Sequence, residues 1–232
     1  MIIGDDCFFH ITWQCHNNAF LLKEHFTKQL YYDLLLKYKD DYQVSIYSYC
    51  FMDTHIHMTG HAVFQNKLSD YMRRVNSQFS RRCNKEMKRR GQLVMDRFKS
   101  PQIHTSDDLE RVITYIDLNP IRARMVKHPK EYKWSSYHYY AHGKKDALIT
   151  PSPNYDEFGK THGERQSRYR EMVDAILQNE GHIQRNYSTT LSIGDPTWVS
   201  MRYNAIRNHM KEKRNKRSHH ASPPLSNQPV DP

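Results

Sequence analysis

The stretch Tyr49-Cys50-Phe51-Met52-Asp53-Thr54-His55-Ile56-His57-Met58 decides how this sequence is interpreted. Aromatic and β-branched residues on both sides of the turn formers Asp53-Thr54 predict a β-hairpin. Residues two apart on a strand point to the same face, so His55 and His57 lie side by side while Ile56 faces the opposite way. Such a pair is typical of a metal site, and two structural histidines with satisfied hydrogen bonds are the competing interpretation.

The residues around this hairpin alternate between strand and helix patterns. Strands are predicted over 7–14, 44–52, 56–63 and 93–98, and helices over 23–42, 67–90 and 108–118, with a shorter helix from Pro120. Gly91 is placed to cap the second of these helices. The order βαββαβα predicts an α+β fold with an antiparallel sheet and helices packed on one face.

A second segment, near the end of the third predicted helix, carries reactive side chains. Tyr115 and Asn119 are four residues apart and share one helix face. If that face opposes the hairpin, the site combines a phenol and an amide oxygen with the imidazoles of His55 and His57. A metal bound there would polarise a phosphodiester, and Tyr115 could attack phosphorus to form a covalent phosphotyrosine. The alternatives are a core role for Tyr115 and helix termination by Asn119 ahead of Pro120.

The charge of the chain indicates a polyanionic partner. The 232 residues carry a formal net charge of +10, and the sixteen tyrosines, interleaved with Lys and Arg, suit contact with bases and phosphates. Candidate DNA-binding residues are Arg73, Arg74, Arg81, Arg82, Lys85, Lys88, Arg89 and Arg90 on the second helix, and Lys211, Lys213 and Arg214 near the C-terminus. A solvated helix face is the alternative for the first group.

The composition changes along the chain and predicts three regions. Residues 1–140 form the main domain, 141–217 a basic and mainly helical region with helices over 164–178 and 197–213, and 218–232 a disordered tail rich in Pro, Ser and Asn. The four cysteines form no CxxC pair, which favours a reducing cytoplasmic compartment. No signal-peptide pattern and no apolar stretch long enough to cross a membrane is present in the sequence.

At these residues the chain resembles the HUH single-tyrosine transposases, and among them the REP-associated tyrosine transposases. The resemblance is carried by His55-Ile56-His57, by the run Tyr115-Ile116-Asp117-Leu118-Asn119-Pro120-Ile121-Arg122-Ala123, and by Trp134-Ser135-Ser136-Tyr137. It covers roughly residues 5 to 180.

The resemblance implies a ferredoxin-like α+β fold and cleavage of single-stranded DNA. His55 and His57 would hold Mg²⁺ or Mn²⁺, and Asn119 would complete the protein ligands. Tyr115 would take the 5′ phosphate of the cut strand and release a 3′ hydroxyl, and reversal by another 3′ hydroxyl would rejoin strands. The substrate would be a REP-like palindromic hairpin with a flanking guide sequence. From the ligand types alone, imidazole favours Mn²⁺ over Mg²⁺.

The leading hypothesis is therefore a metal-dependent single-stranded DNA endonuclease and strand transferase acting on hairpin DNA. Two rival hypotheses use the same basic surfaces: a non-catalytic protein that binds DNA hairpins and regulates nearby genes, and a protein that binds RNA hairpins. The sequence leaves open whether the protein is a monomer or a homodimer, and whether Tyr115 acts within its own protomer.

Overall fold

The structure is a computed structural model that describes residues 6–179, 187 and 190–219. It divides into two compact units, residues 1–194 and 195–232. The strands are β1 (Cys7–Gln14), β2 (Val44–Phe51), β3 (His55–Ala62), β4 (Gln102–Ile103) and β5 (Ser192–Ile193). The helices are α1 (His25–Tyr38), α2 (Gln65–Glu86), α3 (Ser106–Asp117), α4 (Asn119–Arg122), α5 (Tyr137–His142), α6 (His162–Gln178) and α7 (Pro196–His219).

The first unit is built on a five-stranded sheet with the order β2-β3-β1-β4-β5. Strands β1 to β4 pair antiparallel, and their connection β1-α1-β2-β3-α2-β4 confirms the predicted ferredoxin-like α+β fold. Strand β5 pairs parallel with β4, so the complete sheet is mixed. Strand β3 lies between β1 and β2, so a paired strand flanks its histidines on each side.

The two faces of the sheet differ in chemistry. One face is apolar, and Trp13 of β1 packs there against Tyr31 of α1 and Phe79 of α2. Helices α1 and α2 thus pack on an apolar face of the sheet, as predicted. The other face carries the polar residues of β1 and β3, and α3 packs across it, with Tyr115 against His57. Helices therefore cover both faces rather than one.

Gly60 on β3 is required by the close approach of two strands. A Cβ at this position would lie 1.9 Å from the backbone oxygen of Ser45 and 2.9 Å from the ring of Phe9. Neither the β2 backbone nor the fully buried Phe9 ring has room to retreat. The pairing of β2 with β3 therefore depends on the missing side chain at residue 60.

Two local predictions were wrong. Residues 93–98 form no strand; the segment follows β1 through scattered bonds, such as Met95 N to Gln14 O at 2.8 Å, and the fourth strand is the two-residue β4. The side chain of Gln92 donates to the carbonyls of Val94 and Met95, and pairing within 93–98 is confined to an isolated bridge between Val94 and Cys15. Helix α2 ends at Glu86 rather than near residue 90, so Gly91 does not cap it.

Part of the segment expected to be an appendage belongs to the first unit. Helices α5 and α6 pack against each other, and the hydroxyl of Tyr169 on α6 donates to Asp117 on α3. The second unit contains α7, which agrees with a helix at 197–213. The division at residue 140 stays a prediction, and the expected tail at 220–232 lies outside the described residues. No helix among the described residues is long and apolar enough to cross a membrane.

Candidate active site

Strand β3 presents the histidine pair as the alternation of its side chains predicts. The rings of His55 and His57 lie 4.9 Å apart, centroid to centroid, on the face that α3 covers. Ile56 between them is fully buried on the opposite face. Burial lowers the pKa of both imidazoles, and for His57 the neighbouring rings and Arg122 add to the effect. Both rings are therefore neutral at neutral pH, which is the form that binds metal.

His10 on β1 forms a third member of this group that the sequence did not reveal. Its Nε2 lies 3.2 Å from Nδ1 of His57, and the two rings stack with centroids 5.4 Å apart. Complete burial lowers the pKa of His10 to about 4. Nδ1 of His55 has a partner as well, the hydroxyl of Thr54 at 3.0 Å. On both His55 and His57, Nε2 is thus the nitrogen left to bind a ligand.

Helix α3 brings Tyr115 to these histidines. Thr105 caps the helix by accepting from the backbone N–H of Asp108 at 3.1 Å, and two acids in the first turn favour the helix dipole. Tyr115 lies in the last turn of α3 and is 8% exposed. Its ring stands edge-on to His10 and His57, each at 5.9 Å between centroids. Its ring also contacts that of Tyr187 at 5.0 Å.

Asn119 does two things at the junction between α3 and α4. Pro120 has no N–H for the carbonyl of Ile116 four residues earlier. The side-chain nitrogen of Asn119 replaces it, donating to Ile116 O at 3.3 Å and to Tyr115 O at 3.0 Å. Carbonyl oxygens only accept, so the amide orientation follows from its partners. Nδ2 terminates the helix, and Oδ1 remains available as a ligand.

The predicted catalytic and metal-binding residues meet in one cavity of about 540 Å³. It is lined by His55, His57, Tyr115 and Asn119 together with three cationic side chains, Arg97, Lys99 and Arg122. The structure thus assembles all four residues predicted from the sequence within a single chain. These three cations outnumber the single acidic residue of the lining, Asp96, so the cavity favours an anionic ligand such as a phosphate.

The donor set fits a divalent cation with an incomplete protein shell. Within the described part of the chain, no three His, Cys, Asp or Glu side chains are grouped to hold a metal. Two neutral imidazoles and one amide oxygen supply three ligands, and a cation bound to them keeps positions open for other oxygens. The His10–His57 hydrogen bond is the outer-shell contact expected of a metal-binding histidine.

A buried polar network holds α3 in place behind the cavity. Asp117 is fully buried and accepts from Ser136 Oγ at 2.6 Å and from Tyr169 Oη at 2.7 Å. Ser136 also contacts β2 through the hydroxyl of Ser48 and the backbone of Tyr49. Burial raises the pKa of Asp117 to about 7. The Trp134–Tyr137 segment therefore connects the tyrosine helix to the strand beside the histidines.

The predicted DNA-binding residues lie outside this cavity. Arg73, Arg74, Arg81, Arg82 and Lys85 are exposed on α2, whereas Lys88, Arg89 and Arg90 follow its end. Arg74 stacks on the ring of Tyr38, with its guanidinium carbon 5.3 Å from the centroid. Lys211 is exposed on α7, and the side chains of Lys213 and Arg214 lie outside the described residues.

A second cavity of about 880 Å³ connects α2 with the histidine site. It lies between α2 and residues 92–100 and is lined by Arg73, and it shares Met95, Asp96 and Arg97 with the first cavity. Of the predicted DNA-binding residues on α2, Arg73 lines this second cavity, and it pairs with Asp70 at 2.9 Å.

Three cavity cations, Arg97, Lys99 and Arg122, were missed in the sequence, as was His10. Arg122 is seven residues beyond Tyr115, so the helical spacing that identified Asn119 also marks it. His10 is recognisable only from strand register, because it pairs with Thr59, two residues from His57. Arg97 and Lys99 carry no such signal.

Comparison with known proteins agrees with this geometry. The family described as "Transposase IS200 like" matches residues 4–119, which is half of the chain. The solved structure of a REP-associated tyrosine transposase bound to a REP hairpin is similar in fold, with a TM-score of 0.54 and 19% sequence identity. The similarity covers 65% of this chain and 88% of that one. No curated protein matches the chain.

Proposed function

The chain belongs to the family of IS200-like transposases, and on that premise we propose that it is a metal-dependent single-stranded DNA endonuclease and strand transferase. The observation that carries the proposal is the position of Tyr115. Its ring lies 5.9 Å from that of His57, in a cavity that His55 and Asn119 also line. A phenol can act as the nucleophile, and a metal held by a histidine pair and an amide oxygen would polarise the phosphodiester that it attacks.

In the proposed reaction Tyr115 Oη attacks the phosphorus of a single-stranded phosphodiester. The Oη–P bond forms as the bond from phosphorus to the 3′ oxygen breaks; the phenol proton leaves to solvent, and the 3′ oxygen takes one up. The 5′ phosphate stays on the tyrosine. Attack by another 3′ hydroxyl reverses the step and joins strands, so the reaction consumes no external energy.

His55, His57 and Asn119 are the proposed ligands of Mg²⁺ or Mn²⁺, which when bound would polarise the scissile phosphate. In the tautomer that the proposal requires, Nδ1–H of His57 donates to Nε2 of His10; this bond orients the His57 ring and leaves its Nε2 for the metal. Asn119 is oriented by its bonds to two backbone carbonyls. Asp117 and its partners hold the helix that carries Tyr115.

The proposed substrate is a DNA hairpin with a single-stranded flank. Support comes from the REP hairpin bound to the structurally similar transposase and from the exposed basic residues of α2. Arg97 and Lys99 at the cavity would contact the backbone of the strand entering it. Because phosphate contacts dominate such binding, affinity should fall steeply with salt concentration.

The experiment is a cleavage assay on an end-labelled hairpin oligonucleotide with flanking single strands, with Mg²⁺, Mn²⁺ or a chelator. Wild-type protein should give a metal-dependent cut and a covalent protein–DNA adduct, and Tyr115→Phe should give neither. Tyr139→Phe, on α5 and outside the cavity, is the matched control and should cut normally. Salt-sensitive binding without any adduct would instead support the non-catalytic hairpin-binding alternative that the basic surface of α2 favours.

A further inference from the structure

Arg122 continues the line of side chains that begins with Tyr115 and Asn119. Helix α4 starts at Asn119, and the backbone N–H of Arg122 donates to Leu118 O at 3.1 Å, so the turn is maintained across Pro120. Residues at spacings of four and seven share a helix face. All three side chains accordingly line the same cavity.

The guanidinium of Arg122 lies over the ring of Tyr115, with its carbon 4.4 Å from the ring centroid. This distance is well within the range of a cation–π contact. The side chain of Arg122 lines the same cavity as His55 and His57. A permanent positive charge therefore lies against the ring of the proposed nucleophile, in the cavity that the proposed metal ligands also line.

Resting on the proposed function, we propose that Arg122 is a catalytic residue that donates hydrogen bonds to the non-bridging oxygens of the scissile phosphate while its stacking contact holds the Tyr115 ring for attack. As the Oη–P bond forms and the bond to the 3′ oxygen breaks, negative charge accumulates on these oxygens. A donor already in place at that charge stabilises the transition state more than the ground state. Arg122 itself gains and loses no proton.

An arginine suits this position better than a lysine. Its planar fork can donate two parallel hydrogen bonds to a phosphate and stack on an aromatic ring with its face. Lysine keeps the charge but loses both the fork and the stacking. Arg122→Ala should therefore reduce the cleavage rate constant at saturating protein by about 10²- to 10³-fold. The rate constant of Arg122→Lys should lie between those of wild type and Arg122→Ala. The dissociation constant for uncut DNA should change by only about threefold, because one phosphate contact among several is lost.

The decisive experiment compares a normal scissile phosphate with a methylphosphonate at the same position of the hairpin oligonucleotide. A methylphosphonate replaces one charged oxygen by a methyl group, so less charge develops in the transition state. The ratio of wild-type to Arg122→Ala rates should then shrink to about tenfold or less. A residue that only stabilises the fold would give the same ratio on both substrates, and that result would overturn the proposal.

Controls separate this inference from the proposed function. Arg168→Ala, an exposed arginine on α6, should cut at the wild-type rate. If wild-type protein forms an adduct and Arg122→Ala cuts equally fast, the role of Arg122 is wrong while the function stands; if wild-type protein forms no adduct, the function itself fails. If the methylphosphonate is cut too slowly to measure, the variants are compared on the normal phosphate. The proposal is overturned if Arg122→Ala changes only the dissociation constant for DNA. It is also overturned if Arg122→Lys cleaves no faster than Arg122→Ala.

Discussion

The hydroxyl of Tyr169 offers a sharp test of what holds the tyrosine helix in place. It donates to the carboxyl of Asp117 at 2.7 Å, and both side chains are fully buried. Tyr169→Phe removes this one oxygen and leaves the ring, which stacks on Tyr140 at 5.2 Å, where it is. Ser136 remains as the second donor to the carboxyl. The change is therefore a deletion of one hydrogen bond without a large cavity.

We expect Tyr169→Phe to lower the free energy of unfolding by about 2 kcal/mol at pH 8. A buried hydrogen bond to a charged group is worth about 1.5–3 kcal/mol, and pH 8 lies above the raised pKa of Asp117, which is about 7. Urea denaturation followed by circular dichroism measures the difference. Tyr139→Phe removes a half-exposed hydroxyl from neighbouring α5 and should cost less than about 0.5 kcal/mol. Equal losses in the two variants would refute the structural role assigned to the Asp117 network.

Three further predictions concern a strand contact, a buried carboxyl and the assembly of the candidate site. Gly60→Ala places a Cβ 1.9 Å from Ser45 O and should destabilise the fold by about 3 kcal/mol or more, measured by urea denaturation; an unchanged midpoint would contradict this strand pairing. Burial raises the pKa of Glu110 from 4.5 to about 7, so its contribution to stability is present below pH 4.5 and is lost as pH rises through 7. Glu110→Gln should therefore unfold like wild type at pH 4.5 but be more stable at pH 8.5, by on the order of 2 kcal/mol, and a gain at the lower pH only would reverse the sign. Because the candidate active-site residues meet within one chain, mixing Tyr115→Phe with His57→Ala protein should restore no hairpin cleavage, and recovery of cutting would indicate a site shared between chains.

The strands with alternating side chains were predictable because their pattern is local. Strand β1 was predicted at Cys7–Gln14 as observed, and β2 and β3 to within one residue at each end. The fourth strand was not, since β4 has only two residues and its place depends on pairing with distant β1. Residues 93–98 have strand-like composition, but their pairing is limited to an isolated bridge between Val94 and Cys15.

In the candidate site as well, residues related by local spacing were predicted and residues related by strand pairing were not. Spacings of two and four residues identified His55 with His57 and Tyr115 with Asn119, because the first pair lies on one strand and the second spans a single helical turn at the junction of α3 and α4. His10 could not be found by spacing, since its contact with His57 depends on the register between β1 and β3. Arg122 follows the same spacing rule, but it lies beyond the break predicted at Pro120, so a face shared with Tyr115 was not predicted.

The two bonds made by the Asn119 nitrogen restrict what can replace it. A residue at this position must donate to carbonyls of α3 and still offer an oxygen to the cavity, and among the common side chains only Asn and Gln carry both groups on one amide. Aspartate would bring a better oxygen for Mg²⁺ but would remove the side-chain donor to the carbonyl of Ile116, which would keep only the backbone N–H of Leu118. Exchange of Pro120 for a residue with an N–H would remove that demand. Substitutions at 119 and 120 should thus be epistatic: the tolerance for a carboxylate at the first position depends on whether the second is proline.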